Sequence, residues 1–182
     1  MDRALIERAR DGDRDAFAVL AGGVVDRCFA TARVVLGDAD RAHDAVQDAL
    51  VRCWRDLPSL KDPDRFDGWL RRLLMHSIMD EFRRERRHVA KIQVLREHPV
   101  TRRDESLLED RDQIERAFRR ISVDHRAILT LHYLQELSLA EVADALGVPL
   151  GTAKSRLHYA MEAVRAEVRV AEATATNVEV SA

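Results

Sequence analysis

The stretch Leu137-Ser-Leu-Ala-Glu-Val-Ala-Asp-Ala-Leu-Gly-Val-Pro-Leu-Gly-Thr-Ala-Lys-Ser-Arg-Leu-His-Tyr-Ala-Met161 reads as two helices joined by a tight turn. Ser138 precedes Glu141 by three residues, the spacing of a capping box, in which the hydroxyl takes a free amide of the first turn and the glutamate returns to the cap's own N–H. A helix is therefore predicted to start at Leu139. Its apolar residues Leu139, Val142, Ala143 and Leu146 recur at helical spacing, and Gly147 supplies the left-handed residue that commonly ends a helix. Pro149 forbids simple continuation. The next helix turns Ala153, Leu157, Ala160, Met161 and Val164 inward, leaving Thr152, Lys154, Ser155, Arg156, His158 and Tyr159 for the outer face. Two helices crossing steeply after so short a turn need a small side chain at the crossing, which Ala143 provides. The pattern is that of a helix-turn-helix, whose second helix offers its first turns to the DNA major groove. A plain helical hairpin with a solvated polar face explains the periodicity but not this order of cap, small residue, glycine and cations.

The chain has 182 residues, 46% of them hydrophobic and only 5% aromatic, which suits packed aliphatic helices in one large or two small domains. No apolar run reaches the length of a membrane span, and Met1-Asp2-Arg3-Ala4 lacks the order of a signal peptide, so a cytoplasmic protein without membrane insertion is expected. Cys28 and Cys53 stand singly in apolar helical patterns and read as buried thiols. The net charge of −2 hides a local concentration: residues 71 to 91 carry +4, whereas residues 1 to 70 carry −3. Local charge, not the total, decides where phosphate can be held.

Upstream, helices are expected over Asp2 to Arg10, Asp15 to Leu36 with a kink or break at Gly22-Gly23, and Arg41 to Leu57 capped by Asp38 or Asp40. Ala45, Val46, Ala49, Leu50, Cys53 and Trp54 form the apolar stripe of the third. After a loop around Pro58 to Asp64, a helix opening at Phe66 places Leu70, Leu74, Ser77, Ile78, Glu81 and Phe82 on one side, and Trp69, Arg72, His76, Arg83 and Arg87 on the other. A solvated helix end accounts for the arginines alone. An indole in line with them adds a stacking surface for an unpaired base, the combination that holds single-stranded nucleic acid. Residues 91 to 106 lose the period and read as a linker. Helices follow over Leu107 to Phe118 and, capped by Ser122, over Val123 to Leu134, while residues 171 to 182 read as a disordered tail.

No Gly-rich phosphate loop, nucleophile motif or metal-spaced cluster occurs, so neither an enzyme nor a cofactor is expected. His76 and Asp80 stand four apart but lack a third ligand nearby in sequence. His125 and His132, flanking the Ser122-capped helix, read as surface residues.

Four stretches in order, Asp44-Ala-Val-Gln-Asp-Ala-Leu-Val-Arg-Cys-Trp54, Phe66-Asp-Gly-Trp-Leu-Arg-Arg-Leu-Leu74, Ile121-Ser-Val-Asp-His-Arg-Ala-Ile-Leu129 and Leu137 to Leu157, resemble the extracytoplasmic-function group of the sigma-70 family, promoter-recognition subunits of bacterial RNA polymerase. The resemblance runs from about Leu5 to Val168. It implies an all-α protein of two small domains: sigma-2 over residues 1–90 and sigma-4 over 107–170. It also implies that Asp44, Gln47 and Asp48 face the clamp helices of core RNA polymerase, with the aliphatic sigma-4 surface on the flap. Lys61, Arg65, Trp69, Arg72, His76, Arg83 and Arg87 would open and hold the −10 strand of promoter DNA. Thr152, Lys154, Ser155, Arg156, His158 and Tyr159 would read the −35 element. An anti-sigma partner is common in the group. His76 stands where the family most often has asparagine, and Gly22-Gly23 where it tends to have bulkier residues. The alternatives are a stand-alone helix-turn-helix regulator with an N-terminal dimerisation or sensing domain, and a protein-binding module that titrates another regulator.

Overall fold

A computed structural model of the chain describes the backbone of residues 2–95 and 111–179, and the side chains of residues 2–88 and 116–170. Four helices make the N-terminal half: α1 (Arg3–Arg10), α2 (Arg14–Leu36), α3 (Ala39–Asp56) and α4 (Phe66–Leu95). The first three start at aspartate caps, where Asp2, Asp13 and Asp38 accept from the amides of Ala4, Ala16 and Arg41 and satisfy donors that the helix itself cannot. Asp38 is thus the cap of α3. Two 3₁₀ turns, Leu57–Ser59 and Pro63–Arg65, carry the chain into α4. The C-terminal half consists of α5 (Arg111–Arg120), α6 (Val123–Leu129), a π-helical turn Thr130–Leu134, α7 (Leu139–Leu146) and α8 (Leu150–Glu179). Among the described residues there is no strand, and no helix is long and apolar enough to cross a membrane.

Several elements differ from expectation. α2 runs unbroken through Gly22-Gly23. Each glycine costs about 1 kcal/mol, but Leu20, Val24 and Cys28 bury on either side of the pair and hold the helix together. α4 continues to Leu95, into the stretch read as a linker; the remainder of that stretch and the start of the next expected helix lie outside the described residues. α8 continues to Glu179, where a disordered tail was expected, because the alanines there favour helix even without a burial pattern. The helix capped by Ser122 widens after Leu129. The Gln135 amide donates to the Thr130 carbonyl at 3.1 Å and the Leu137 amide to the Leu131 carbonyl at 3.2 Å, with Glu136 in the left-handed region at φ 54°. This wide turn leads the chain into α7.

In the N-terminal half α3 packs on α2 and α4, and α1 on α2; in the C-terminal half α5, α6 and α7 pack on α8. The halves also touch, α4 against α7 and α2 against α6. The two small helical domains expected from the sequence pack against each other, so that one cluster of buried side chains extends from Ile6 through Phe66, Leu70 and Ile78 to Val142, Ala153 and Ala160.

The capping box at Ser138 sets the start of α7. Its hydroxyl accepts from the Glu141 amide at 3.3 Å, and its own amide donates to the Glu141 carboxylate at 2.9 Å. Replacing Ser138 by alanine removes that acceptor and is expected to lower stability by about 1 kcal/mol, or about 2–4 °C in the melting midpoint of a chain this size. Thermal unfolding followed by helical circular dichroism checks this, and an unchanged midpoint contradicts it.

Candidate nucleic-acid interface

The helix-turn-helix forms as the sequence indicates. Gly147 ends α7 at φ 64°, a conformation costly to a residue with a Cβ, and its amide donates to the Asp144 carbonyl at 3.1 Å. The Val148 amide reaches the Ala143 carbonyl at 3.0 Å. α8 then leaves with Ala153 and Ala160 fully buried, small enough for close crossing. Leu157, Met161 and Val164 pack beside them on the core. Lys154, Ser155, His158 and Tyr159 are exposed, and Thr152 and Arg156 are half-buried. All six therefore lie off the buried face of the helix. Arg156 stands 3.7 Å from Asp124 in the first turn of α6, and His158 stands 3.8 Å from Glu162.

On α4 the inward stripe is Leu70, Leu74, Ser77, Ile78 and Glu81, joined by Met75, all buried. Trp69 is half-buried and packs at the core edge, 6.1 Å between ring centroids from Phe66. His76, Arg83 and Arg87 are exposed, as are Lys61 and Arg65 on the preceding turns, where Arg65 stands 3.5 Å from Asp62. Arg83 donates to Asp80 at 3.1 Å, and Arg87 to the Arg83 carbonyl at 3.3 Å. One residue of the stripe is taken up by the other half of the protein: the Arg72 guanidinium pairs with the Asp144 carboxylate and donates to the Asp144 carbonyl at 3.1 Å.

The residues read as the polymerase-facing patch divide. Asp44 and Gln47 are exposed on α3, but Asp48 is tied to α4, accepting from Ser77 at 2.9 Å and pairing with Arg52 at 2.9 Å. Arg52 also donates to Asp80 at 2.8 Å. Asp80 is thus held by arginines on two helices. Sequence reading missed what lies beside Gln47: a groove of about 650 Å³ between α2 and α3, lined by Phe17, Val46, Leu50, Val51 and Trp54. Trp54, expected to be core, is 37% exposed and meets Phe17 edge-on at 4.8 Å. The signal was present in Val19 and Val51, apolar residues on otherwise polar faces that the structure leaves 64% and 58% exposed. Cys28 and Cys53 are buried free thiols, and burial pushes the Cys53 thiol up to about 12, which suppresses its thiolate. His132 is half-buried, its Nδ1 lying 2.7 Å from the Leu137 carbonyl at the start of the turn into α7.

Comparison with known proteins agrees with the geometry. Residues 24–88 match Sigma-70 region 2, and residues 117–166 match Sigma-70, region 4. The ECF RNA polymerase sigma factor SigL of Mycobacterium tuberculosis is 36% identical over 133 residues, covering 71% of this chain and 75% of SigL. SigW of Bacillus subtilis is 28% identical over 182 residues, covering 93% of this chain and 97% of SigW. The chain belongs to the extracytoplasmic-function group of the sigma-70 family of RNA polymerase sigma factors. The same fold occurs in RpoE of Bartonella quintana, solved with the anti-sigma factor NepR, at a TM-score of 0.65 and 23% identity over 85% of this chain and 97% of that one. It occurs again in CnrH, solved with the cytosolic domain of CnrY, at a TM-score of 0.63 and 23% identity over 93% of this chain and 97% of that one.

The Arg52 hydrogen bond, followed by charge attraction from Arg52 and Arg83, holds the Asp80 carboxyl below its ordinary value of 3.8. A depressed folded-state value adds stability that is complete above the ordinary value and is lost as pH falls through the folded one. Asp80→Asn is therefore expected to destabilise the fold at pH 7, with the gap from wild type closing as the pH drops below 3.8. Urea midpoints measured from pH 7 to pH 3 test this; a gap that stays constant with pH contradicts it.

Proposed function

We propose that the chain acts as a non-enzymatic initiation factor that carries core RNA polymerase to promoters, α8 reading the −35 duplex and α4 holding the opened −10 strand. The observation that carries the reading is the placement of two unlike nucleic-acid faces on one chain. The α8 face, with Lys154, Ser155 and Arg156 in its first turns, fits a major groove that admits a helix. The α4 face couples a half-buried indole to a line of cations, which suits bases already out of the stack. Opening a duplex costs free energy, and a protein without chemistry of its own can offset it only by binding the opened form more tightly. Trp69 supplies the stacking surface, Arg72, Arg83 and Arg87 the phosphate contacts, His76 a polar contact beside them, and Lys61 and Arg65 the approach.

The relatives are named as RNA polymerase sigma factors, and the polymerase is the partner that places both faces on one promoter. Gln47 borders the apolar α2–α3 groove, which offers a partner helix an apolar anchor with a polar rim, and Asp44 is exposed on the same helix. Asp48 contributes by fixing α3 to α4. One structural relative, RpoE, is solved with the anti-sigma factor NepR, and a partner of that class is expected here as well. A stand-alone regulator gives no reason for Trp69 to align with the arginines.

Run-off transcription with purified core polymerase on fragments upstream of the protein's own gene tests the proposal, and no start site on any of them overturns it. Within that assay Trp69→Ala is expected to leave closed-complex formation intact and to reduce permanganate-reactive opening; equal loss of both places Trp69 among purely packing residues. Arg156→Ala is expected to weaken binding to the −35 duplex by about 1–3 kcal/mol, the range for an arginine on a base edge, and an unchanged footprint contradicts that contact.

A further inference from the structure

The halves meet where α7 lies along α4, and the contacts rise together along both helices. Glu141 lies within electrostatic reach of Arg71, Asp144 grips Arg72 through carboxylate and carbonyl, and Gly147 stands against His76, whose Nε2 is 3.7 Å from where a Cβ on the glycine would lie. Beside this line the Gln135 amide donates to the Thr31 hydroxyl at 2.7 Å, joining the π-helical turn to α2. An acidic edge of the duplex-reading half therefore occupies part of the cationic face of the strand-holding half. A carboxylate on a guanidinium uses the same donors that a phosphate uses.

Resting on the roles given above to α4 and α8, we infer that α7 is an internal competitor for the promoter strand: Asp144 takes Arg72 in the closed chain, so the −10 strand gains its full set of contacts only after α7 leaves α4. The recognition helix is outside this contact. Its Lys154, Ser155, His158 and Tyr159 remain exposed while Arg72 is engaged, so the closed chain keeps its duplex-reading face free and holds the opened strand more weakly.

The same interface carries the means of its release. Arg126 of α6 is 9% exposed and lies against the C-terminus of α2, Nη1 3.1 Å from where a Cβ on Gly37 would stand. The partial negative charge of a helix end favours it there. Its neighbour across the interface is another cation, Arg41 of α3, and Nε of Arg126 and Nε and Nη2 of Arg41 have no hydrogen-bond acceptor among the described residues. Glu81 approaches Arg41 only to 3.9 Å. A buried Arg126 beside a second, partly exposed cation, with open donors on both, opposes closure, whereas separation of the halves returns Arg126 to water. The apolar contact and the Asp144 grip thus work against a built-in opposing force, and the balance responds to a single exposed ion pair.

The test uses the full chain, with fluorescence anisotropy against two probes from one promoter mapped by run-off: the labelled non-template −10 strand and the −35 duplex. Asp144→Asn is expected to raise strand affinity about threefold to fivefold, the scale of one exposed ion pair, and to leave duplex affinity within about twofold. Asp144→Arg sets like charges face to face, and is expected to raise strand affinity further and to enlarge the radius of gyration in small-angle scattering. Strand affinity at the wild-type level in both variants overturns the inference, as does an equal gain on strand and duplex, which marks a general charge effect. Adding Trp69→Ala to Asp144→Arg separates the two failures. Loss of the gain supports competition on α4, whereas a gain that survives shows that the strand is held elsewhere, and then the reading of α4 falls and the inference with it.

Discussion

The whole arrangement depends on the two-sidedness of α4. Its inward stripe, with Leu70, Leu74, Met75 and Ile78 each at most 3% exposed, is fixed by burial worth about 1.5–3 kcal/mol per side chain. Its outward stripe is held by contacts of another order. The side chains of Arg72 and Asp144 are 43% and 61% exposed, and such a pair contributes about 0–1 kcal/mol. The difference separates what is permanent from what can be exchanged. The helix stays where α2 and α3 put it, and whatever lies on its outer face can be replaced by another ligand of like chemistry.

The polar links between α3 and α4 belong to the permanent side. Arg52 joins Asp48 of its own helix to Asp80 of α4, and Ser77, buried within α4, donates to Asp48. These contacts fix the rotation of α4 about its axis, which determines where Trp69 and the arginines point. A partner docking in the α2–α3 groove beside Gln47 therefore binds to the scaffold that orients the strand-holding face. Docking and strand capture share a frame without sharing residues.

What could be read in the sequence was local. Caps, the Ser138–Glu141 box, the glycine that ends α7, the inward stripes of α4 and α8, and that of α3 apart from Trp54 depend on residues a few positions apart, and the structure has them where the spacing put them. What could not be read was set by distance along the chain. Asp144 lies 72 residues from Arg72, and no spacing rule joins them. Asp48 looked like a free surface acid because its partner Ser77 is on another helix. Gly22-Gly23 looked like a break because propensity is counted per residue, whereas the burial that overrides it comes from neighbouring helices. The π-helical turn after Leu129 belongs to the same class: Thr130 to Leu134 carry a helical pattern, and the widened turn leads into α7, which packs on α4 far away in sequence.

Closure also bears on how the two DNA faces are used in sequence. If both were free in the unbound chain, each could engage nucleic acid independently, and the strand-holding face, being cationic and sequence-tolerant, would bind any exposed single strand. Covering Arg72 with Asp144 removes part of that non-specific attraction while α8 remains available to test duplex for its own site. Release of α7 then needs a cause that acts on both halves, and a polymerase that holds them apart is such a cause, because tethering each to its own docking site converts two weak contacts into one placement. Strand capture becomes conditional on assembly through an acidic side chain that itself makes no contact with DNA in the closed chain. The buried Arg126, set beside the partly exposed Arg41, keeps the condition reversible, since without an opposing charge the apolar contact alone would favour the shut form more strongly.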